Sequence, residues 1–152
     1  KENLIDLGND IFNYFGMGCR SVSKIFVPKN YNFDLLFESL FEFKEVIKNN
    51  RYANNYDYNK AVYLMGEKKI TENGFLILKK DKNLGSPIAC LFYDTYNSIK
   101  EIEKYIDNNS EYLQCIVSNF KLSNSIPLGS SQKPKIYDYA DKIDTLNFLL
   151  KM

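Results

Sequence analysis

The chain has 152 residues, 45% of them hydrophobic and 26% charged, with a net charge of +1. That suffices for one domain with its own core, and the near-neutral balance makes no electrostatic case for nucleic acid or an anionic membrane. Histidine is absent, which excludes Cys–His pairs, Ser–His–Asp triads and histidine-containing metal sites. The three cysteines are widely spaced and odd in number, so they build neither a zinc site nor a disulfide framework. They suggest a reducing compartment, the cytoplasm. No apolar run reaches the length of a membrane span, and Lys1-Glu2-Asn3 is no secretory signal.

Leu4, Leu7, Ile11 and Phe15 recur at helical spacing, predicting an amphipathic helix that ends near Gly16. Helical periodicity at the first residues, without an initiator methionine, leads us to expect a chain that begins partway through a longer protein. Ile25-Phe26-Val27 reads as a short strand closed by Pro28. Asn32 is placed to cap a second helix carrying Leu36, Leu40, Phe43 and Ile47, with Asn49-Asn50 ending it. A third helix is expected from about Tyr56 to Met65, capped by Asn55 and closed by Gly66.

Phe75 to Leu78 and Ile88 to Tyr93 read as strands, joined by a polar connection from Lys79 to Gly85. Ser98 and Glu101 form a capping-box pattern that opens a helix to about Ile106. Leu113 to Val117 is nearly all apolar and reads as a further strand. Ser118 to Pro134 lacks periodicity and reads as a long loop. A last helix with Leu146, Leu149 and Leu150 is opened by Pro134 or by Asp144. Strands alternating with helices predict a single α/β domain with a largely parallel sheet and flanking helices.

Chemistry concentrates in Gly16-Met17-Gly18-Cys19-Arg20, which runs through Ser23 and Lys24 into the strand. Glycines let backbone amides approach a reacting atom, and the strand anchors the loop. Arg20 and Lys24 would add positive potential favouring a thiolate. The residues alone leave two readings of Cys19 open, a nucleophile and a small buried hydrophobe. Cys90 and Cys115 have apolar neighbours on both sides and read as core. The stretch from Tyr52 to Lys60 mixes tyrosines with amides. It could stack on a base, but it reads more simply as a helix start.

The Cys19 segment resembles the active-site run of the aldehyde dehydrogenase superfamily, Gly-x-x-Cys-x-x-x-Ser-Arg followed by an apolar strand. Gly16, Cys19, Ser23 and Lys24 match its spacing, with lysine in place of arginine. The stretches 14–20, 52–60, 86–89 and 138–141, with Asp144-Thr145-Leu146, resemble one branch: the acyl-CoA reductases related to the fatty-acid reductase of bacterial luminescence systems. The resemblance implies the catalytic fold of that superfamily and Cys19 as nucleophile. It implies NADPH or NADH as reductant and an acyl-CoA substrate reduced to aldehyde, with no metal.

In the family the dinucleotide-binding half, an oxyanion-hole asparagine and a general-base glutamate precede the nucleophile. The resemblance therefore implies that these 152 residues are a C-terminal catalytic portion, inactive by itself. Asn83 aligns with a glutamate that contacts the nicotinamide ribose, which implies a cofactor contact there. Pro127 to Gln132 resembles a glycine-containing stretch near the acyl-binding mouth. Self-association and a partner that delivers the acyl group both fit such an enzyme. The competing reading is a non-catalytic protein-interaction domain with a buried structural cysteine.

Overall fold

A computed structural model describes residues 2–140 and 143–151. Asp141, part of the resemblance above, lies outside them, as do Lys1, Lys142 and Met152. In chain order the elements are α1 (Glu2–Phe12), β1 (Lys24–Pro28), α2 (Asp34–Leu40), α3 (Asn50–Met65), β2 (Ile70–Glu72), β3 (Ile77–Lys80), β4 (Cys90–Tyr96), α4 (Ile99–Asn108) and α5 (Thr145–Leu150). The sheet runs β1-β4-β3-β2. β4 pairs in parallel with both β1 and β3, and β2 is antiparallel to β3. The architecture is α/β with a mostly parallel sheet, as the alternation of elements predicts.

Buried strands in such a sheet should be continuously apolar, and β3 and β4 are so only where they are buried, at Ile77-Leu78 and Cys90-Leu91-Phe92. Leu76, Ile77, Leu78 and Leu91 are fully buried and meet Leu36 and Leu40 from α2. α1 adds Leu7, Ile11 and Phe12, whose ring stacks on Phe43 at 5.2 Å. None of the described helices is long and apolar enough to cross a membrane.

Several boundaries differ from the expected ones, some through backbone dihedrals and some through local hydrogen bonds. α1 stops at Phe12 because Tyr14, Phe15 and Gly16 all take positive φ (56°, 58° and 69°), which carries Phe15 off the apolar face. The second helix is α-helical only to Leu40 and continues as a 3-10 segment, Phe41–Lys48. Asn49 ends that segment as expected, and it rather than Asn55 is the cap of α3. Its side chain accepts from the N–H groups of Arg51 and Tyr52 at 3.0 and 3.1 Å. That earlier start puts Tyr52, Tyr56 and Asn59 on one buried face, leaving Tyr58 largely exposed at 68%.

Phe75 and Leu76 are buried but outside β3, since their N–H groups are taken by the Asn73 side chain. β4 begins two residues late: Cys90 N–H bonds Pro87 O at 3.1 Å, closing a turn in which Ala89 has φ 63°. The short strand β2 has no sequence counterpart above. Leu113 to Val117 is not a strand; Val117 forms one isolated parallel bridge with Ile126. At α4 the Ser98 side chain makes no cap, and Glu101 reaches back to the Asn97 N–H at 2.9 Å. α5 is opened by Asp144, whose side chain accepts from the Asn147 N–H.

The helix α3 is fastened to the sheet through tyrosine. The buried Tyr52 hydroxyl donates to Phe75 O at 2.9 Å, at a carbonyl beyond the regular ladder. Tyr52→Phe removes that donor and leaves a buried carbonyl unpaired. A loss of about 1–2 kcal/mol in unfolding free energy is expected from urea denaturation.

Candidate active site around Cys19

Cys19 sits at the second position of a reciprocally closed turn. Ser21 N–H bonds Gly18 O at 2.9 Å, and the Ser21 hydroxyl accepts from the Gly18 N–H at 3.1 Å. The Cys19 side chain is exposed. Among the described residues, no hydrogen bond engages the Cys19 backbone N–H. The left-handed run Tyr14-Phe15-Gly16 turns the chain out of α1 just before this turn, and β1 begins five residues after the cysteine.

A second loop, from Leu128 to Lys133, braces the turn. Asp10, 1% exposed near the end of α1, accepts from the N–H groups of Gly129 (2.6 Å) and Ser131 (2.9 Å) through its two carboxyl oxygens. Its own carbonyl accepts the Val22 N–H at 3.0 Å. Arg20 Nε donates to Ser131 O at 2.6 Å, and Gln132 Nε2 donates to the Ser21 hydroxyl at 3.2 Å. The stretch thought from sequence to lie near the acyl mouth is thus bound to the Cys19 turn across more than a hundred residues.

Neither cation near Cys19 in sequence is spent on it. Arg20 also reaches Cys115 Sγ at 3.5 Å. Lys24 Nζ donates to the carbonyls of Asp81, Lys82 and Asn83 at 2.9, 2.9 and 3.2 Å. Burial lowers the Lys24 pKa, against the pull of Asp94 and Asp81. The Ser23 hydroxyl holds Leu84 O at 3.0 Å. Strand stagger makes this clasp reachable, since Lys24, Phe92 and Lys79 stand in one row across β1, β4 and β3. The chain leaving β3 therefore passes the start of β1.

Asn83 lies in that clasped loop, exposed, with its N–H on Asp81 Oδ1 at 3.0 Å. Among the described residues, no hydrogen bond joins it to the Cys19 turn. Their connection runs through Ser23 and Lys24. A cavity of about 30 Å³ is lined by Gly16, Val22 and Ser23, which flank the turn, and by Tyr52, Ser86 and Cys90, but by no residue of the turn itself. It has room for roughly one water and none for an acyl chain. A larger open groove of about 530 Å³ runs along Asp34, Phe37, Glu38, Phe41 and Asn73 and includes no residue of the Cys19 turn. Size alone does not locate the chemistry here. Among the described residues no cluster of His, Cys, Asp or Glu is arranged to hold a metal ion.

No protein-family model matches this chain, and no curated protein matches it.

The other two thiols are placed differently. Cys90 is buried at the start of β4, and burial pushes its thiol up to about 11, against the pull of Tyr63 and Lys79. Cys115, expected inside an apolar strand, is half-buried in an irregular segment beside Arg20. Burial raises its pKa and the guanidinium partly offsets that. Sequence reading missed Asp10, and it reached Ser131 and Gln132 only through the resemblance of the stretch from Pro127 to Gln132, without their contacts. The one available signal was Asp10 itself, an acidic residue beside Ile11 on the apolar stripe of α1. Nothing local announces contacts across 111 to 121 residues.

The brace depends on Gly129. Its φ is +79°, and an added Cβ would stand 3.1–3.3 Å from the Asp6 side chain. Gly129→Ala is expected to destabilise the fold by about 1–2 kcal/mol, the cost of a left-handed L-residue, in thermal or urea unfolding. Stability should also fall with alkali. The ordinary thiol value is near 9 and Cys90 stays protonated to about 11, so between those values the unfolded chain holds fewer protons and is favoured. Burial raises the Tyr52, Tyr56 and Tyr63 hydroxyls too and extends the effect upward. Urea midpoints measured from pH 8 to 11 should hold to about 9 and then decline.

Proposed function

We propose that this chain is the acyl-accepting portion of an NAD(P)H-dependent acyl-CoA reductase with the aldehyde dehydrogenase catalytic fold, acting in the cytoplasm. The carrying observation is the contrast among the thiols: Cys19 is exposed on a braced turn, while Cys90 is buried and Cys115 half-buried. A nucleophile must meet its substrate, and a preorganised loop spares the reorganisation that would otherwise slow the attack.

The Cys19 thiolate attacks the thioester carbonyl carbon, forming a new C–S bond and a tetrahedral oxyanion. The Cys19 N–H, free of other partners among the described residues, donates to that oxygen. Such a donor is worth about 3 kcal/mol in other acyl-transfer enzymes. Collapse breaks the bond to the CoA sulfur, and CoA leaves as a thiolate that takes up a proton from solvent. The acyl group is then a thioester of Cys19.

In such reductases the nicotinamide supplies the hydride that carries this thioester to the aldehyde. The described residues do not fit a dinucleotide on their own. Asn83 offers one exposed amide in a loop whose backbone is already engaged, and no G-x-G-x-x-G occurs in the chain. The reading for these residues therefore ends at the acylated cysteine. Mixing the protein with octanoyl-CoA should add one octanoyl group, mapped by mass spectrometry to the Cys19 peptide. Cys19→Ala should abolish the adduct with the circular dichroism unchanged; an adduct on Cys90 or Cys115 would reassign the nucleophile.

One observation favours a second reading, an interaction module. Leu146, Phe148, Leu149 and Leu150 of α5 are all exposed, at 59–76%, a surface suited to a second copy or an acyl-delivering partner. Iodoacetamide separates the two: rapid alkylation of Cys19 alone accords with the enzyme, and three slow thiols with the module.

A further inference from the structure

Gln132 is half-buried, and its amide lies flat against the Cys19 turn. A Cβ on Gly18 would sit 3.2 Å from its Nε2 and 3.3 Å from its Oε1, so glycine at residue 18 leaves the amide room that a larger residue would narrow by a few tenths of an ångström. From there Nε2 donates to the Ser21 hydroxyl, the same oxygen that accepts the Gly18 N–H. Two donors thus converge on one hydroxyl, one from inside the turn and one from a loop 111 residues away. Gln132 is itself fixed from both sides. Ser131 before it is held by Asp10 and Arg20, and the Lys133 N–H after it bonds Ser130 O at 3.0 Å.

We propose that Gln132 is a positioning residue for Cys19. It holds Ser21, and through Ser21 the Gly18 peptide, so that the sulfur and backbone N–H of Cys19 meet a thioester carbonyl without rearrangement. The inference rests on the reading of Cys19 as acyl acceptor. Glutamine suits the task, being long enough to cross from the second loop, neutral beside a thiolate, and able to donate. Glutamate would keep the shape, lose the donor and bring a negative charge. Other charged groups near this region are Arg20, on Ser131 O and Cys115, Asp10, on the Gly129 and Ser131 N–H groups, Asp138, which acts on Cys115 and accepts from the Lys135 N–H, and Asp6 beside Gly129.

The test uses Gln132→Met, which keeps reach without a donor, and Gln132→Glu. Single-turnover acylation by octanoyl-CoA gives a limiting rate and a half-saturating concentration, and iodoacetamide gives the pH profile of Cys19. Gln132→Met should lower the limiting rate about tenfold, within the range for a misplaced reacting group, at unchanged half-saturation and near-unchanged melting temperature. Gln132→Glu should move the alkylation midpoint of Cys19 to higher pH. A wild-type limiting rate in Gln132→Met, or an unmoved midpoint in Gln132→Glu, overturns the proposal. Absence of any acyl adduct in the wild-type protein instead overturns the acyl-acceptor reading. The positioning role, being defined for acylation, falls with that reading.

Discussion

The structure around Cys19 depends on one buried carboxyl group. Asp10 is almost wholly removed from solvent, a location that is costly for such a group unless hydrogen bonds replace its water. It finds them in two backbone N–H groups of a loop more than a hundred residues downstream, while its carbonyl fixes the chain entering β1. One residue therefore joins the end of α1, the Cys19 turn and the Gly129–Gln132 loop. Because the partners are backbone amides, the loop's path matters more than its side chains. The left-handed Gly129 is what lets that path close.

A second clasp works on the other side of β1. Lys24 places its ammonium among three carbonyls and near the rings of Phe26 and Tyr105, at 5.4 and 5.5 Å. The loop it holds is pinned further by the Lys79–Asp81 ion pair, in which Lys79 lies over Tyr63 and Phe92. Cations that sequence proximity would assign to thiol activation are instead structural ties. The turn bearing Cys19 is thus anchored at both ends and open to solvent between them. A rigid, exposed arrangement suits a nucleophile whose substrate is covered from elsewhere, which is how the acyl-acceptor reading treats it.

Much of the fold was legible because its signals are local. The apolar runs around Leu76 and Leu91 mark core strands, the periodicities of α1 and α2 mark amphipathic helices, and the Ser98–Glu101 pattern marks α4. Boundaries slipped where a side chain competed for backbone groups. Asn49 capped α3 where Asn55 was expected to, Asn73 took the N–H groups of Phe75 and Leu76, and the Pro87–Cys90 turn delayed β4. Leu113 to Val117 has strand composition but pairs only through the Val117–Ile126 bridge. A strand exists only where a neighbour accepts its hydrogen bonds, and composition does not supply the neighbour.

The amino-acid sequence by itself determined the α/β class, the absence of histidine chemistry and the glycine-flanked cysteine as the candidate nucleophile. These follow from residue identity and short-range spacing, which any folded state of this chain must respect. Only the tertiary structure decided that Cys19 is exposed, that Arg20 and Lys24 serve as ties, that Asp10 braces the turn and that Gln132 bonds into it. Those facts depend on which distant backbone groups come within about 3 Å of one another. Chain closure over a hundred residues sets that distance, and it leaves no trace in local pattern.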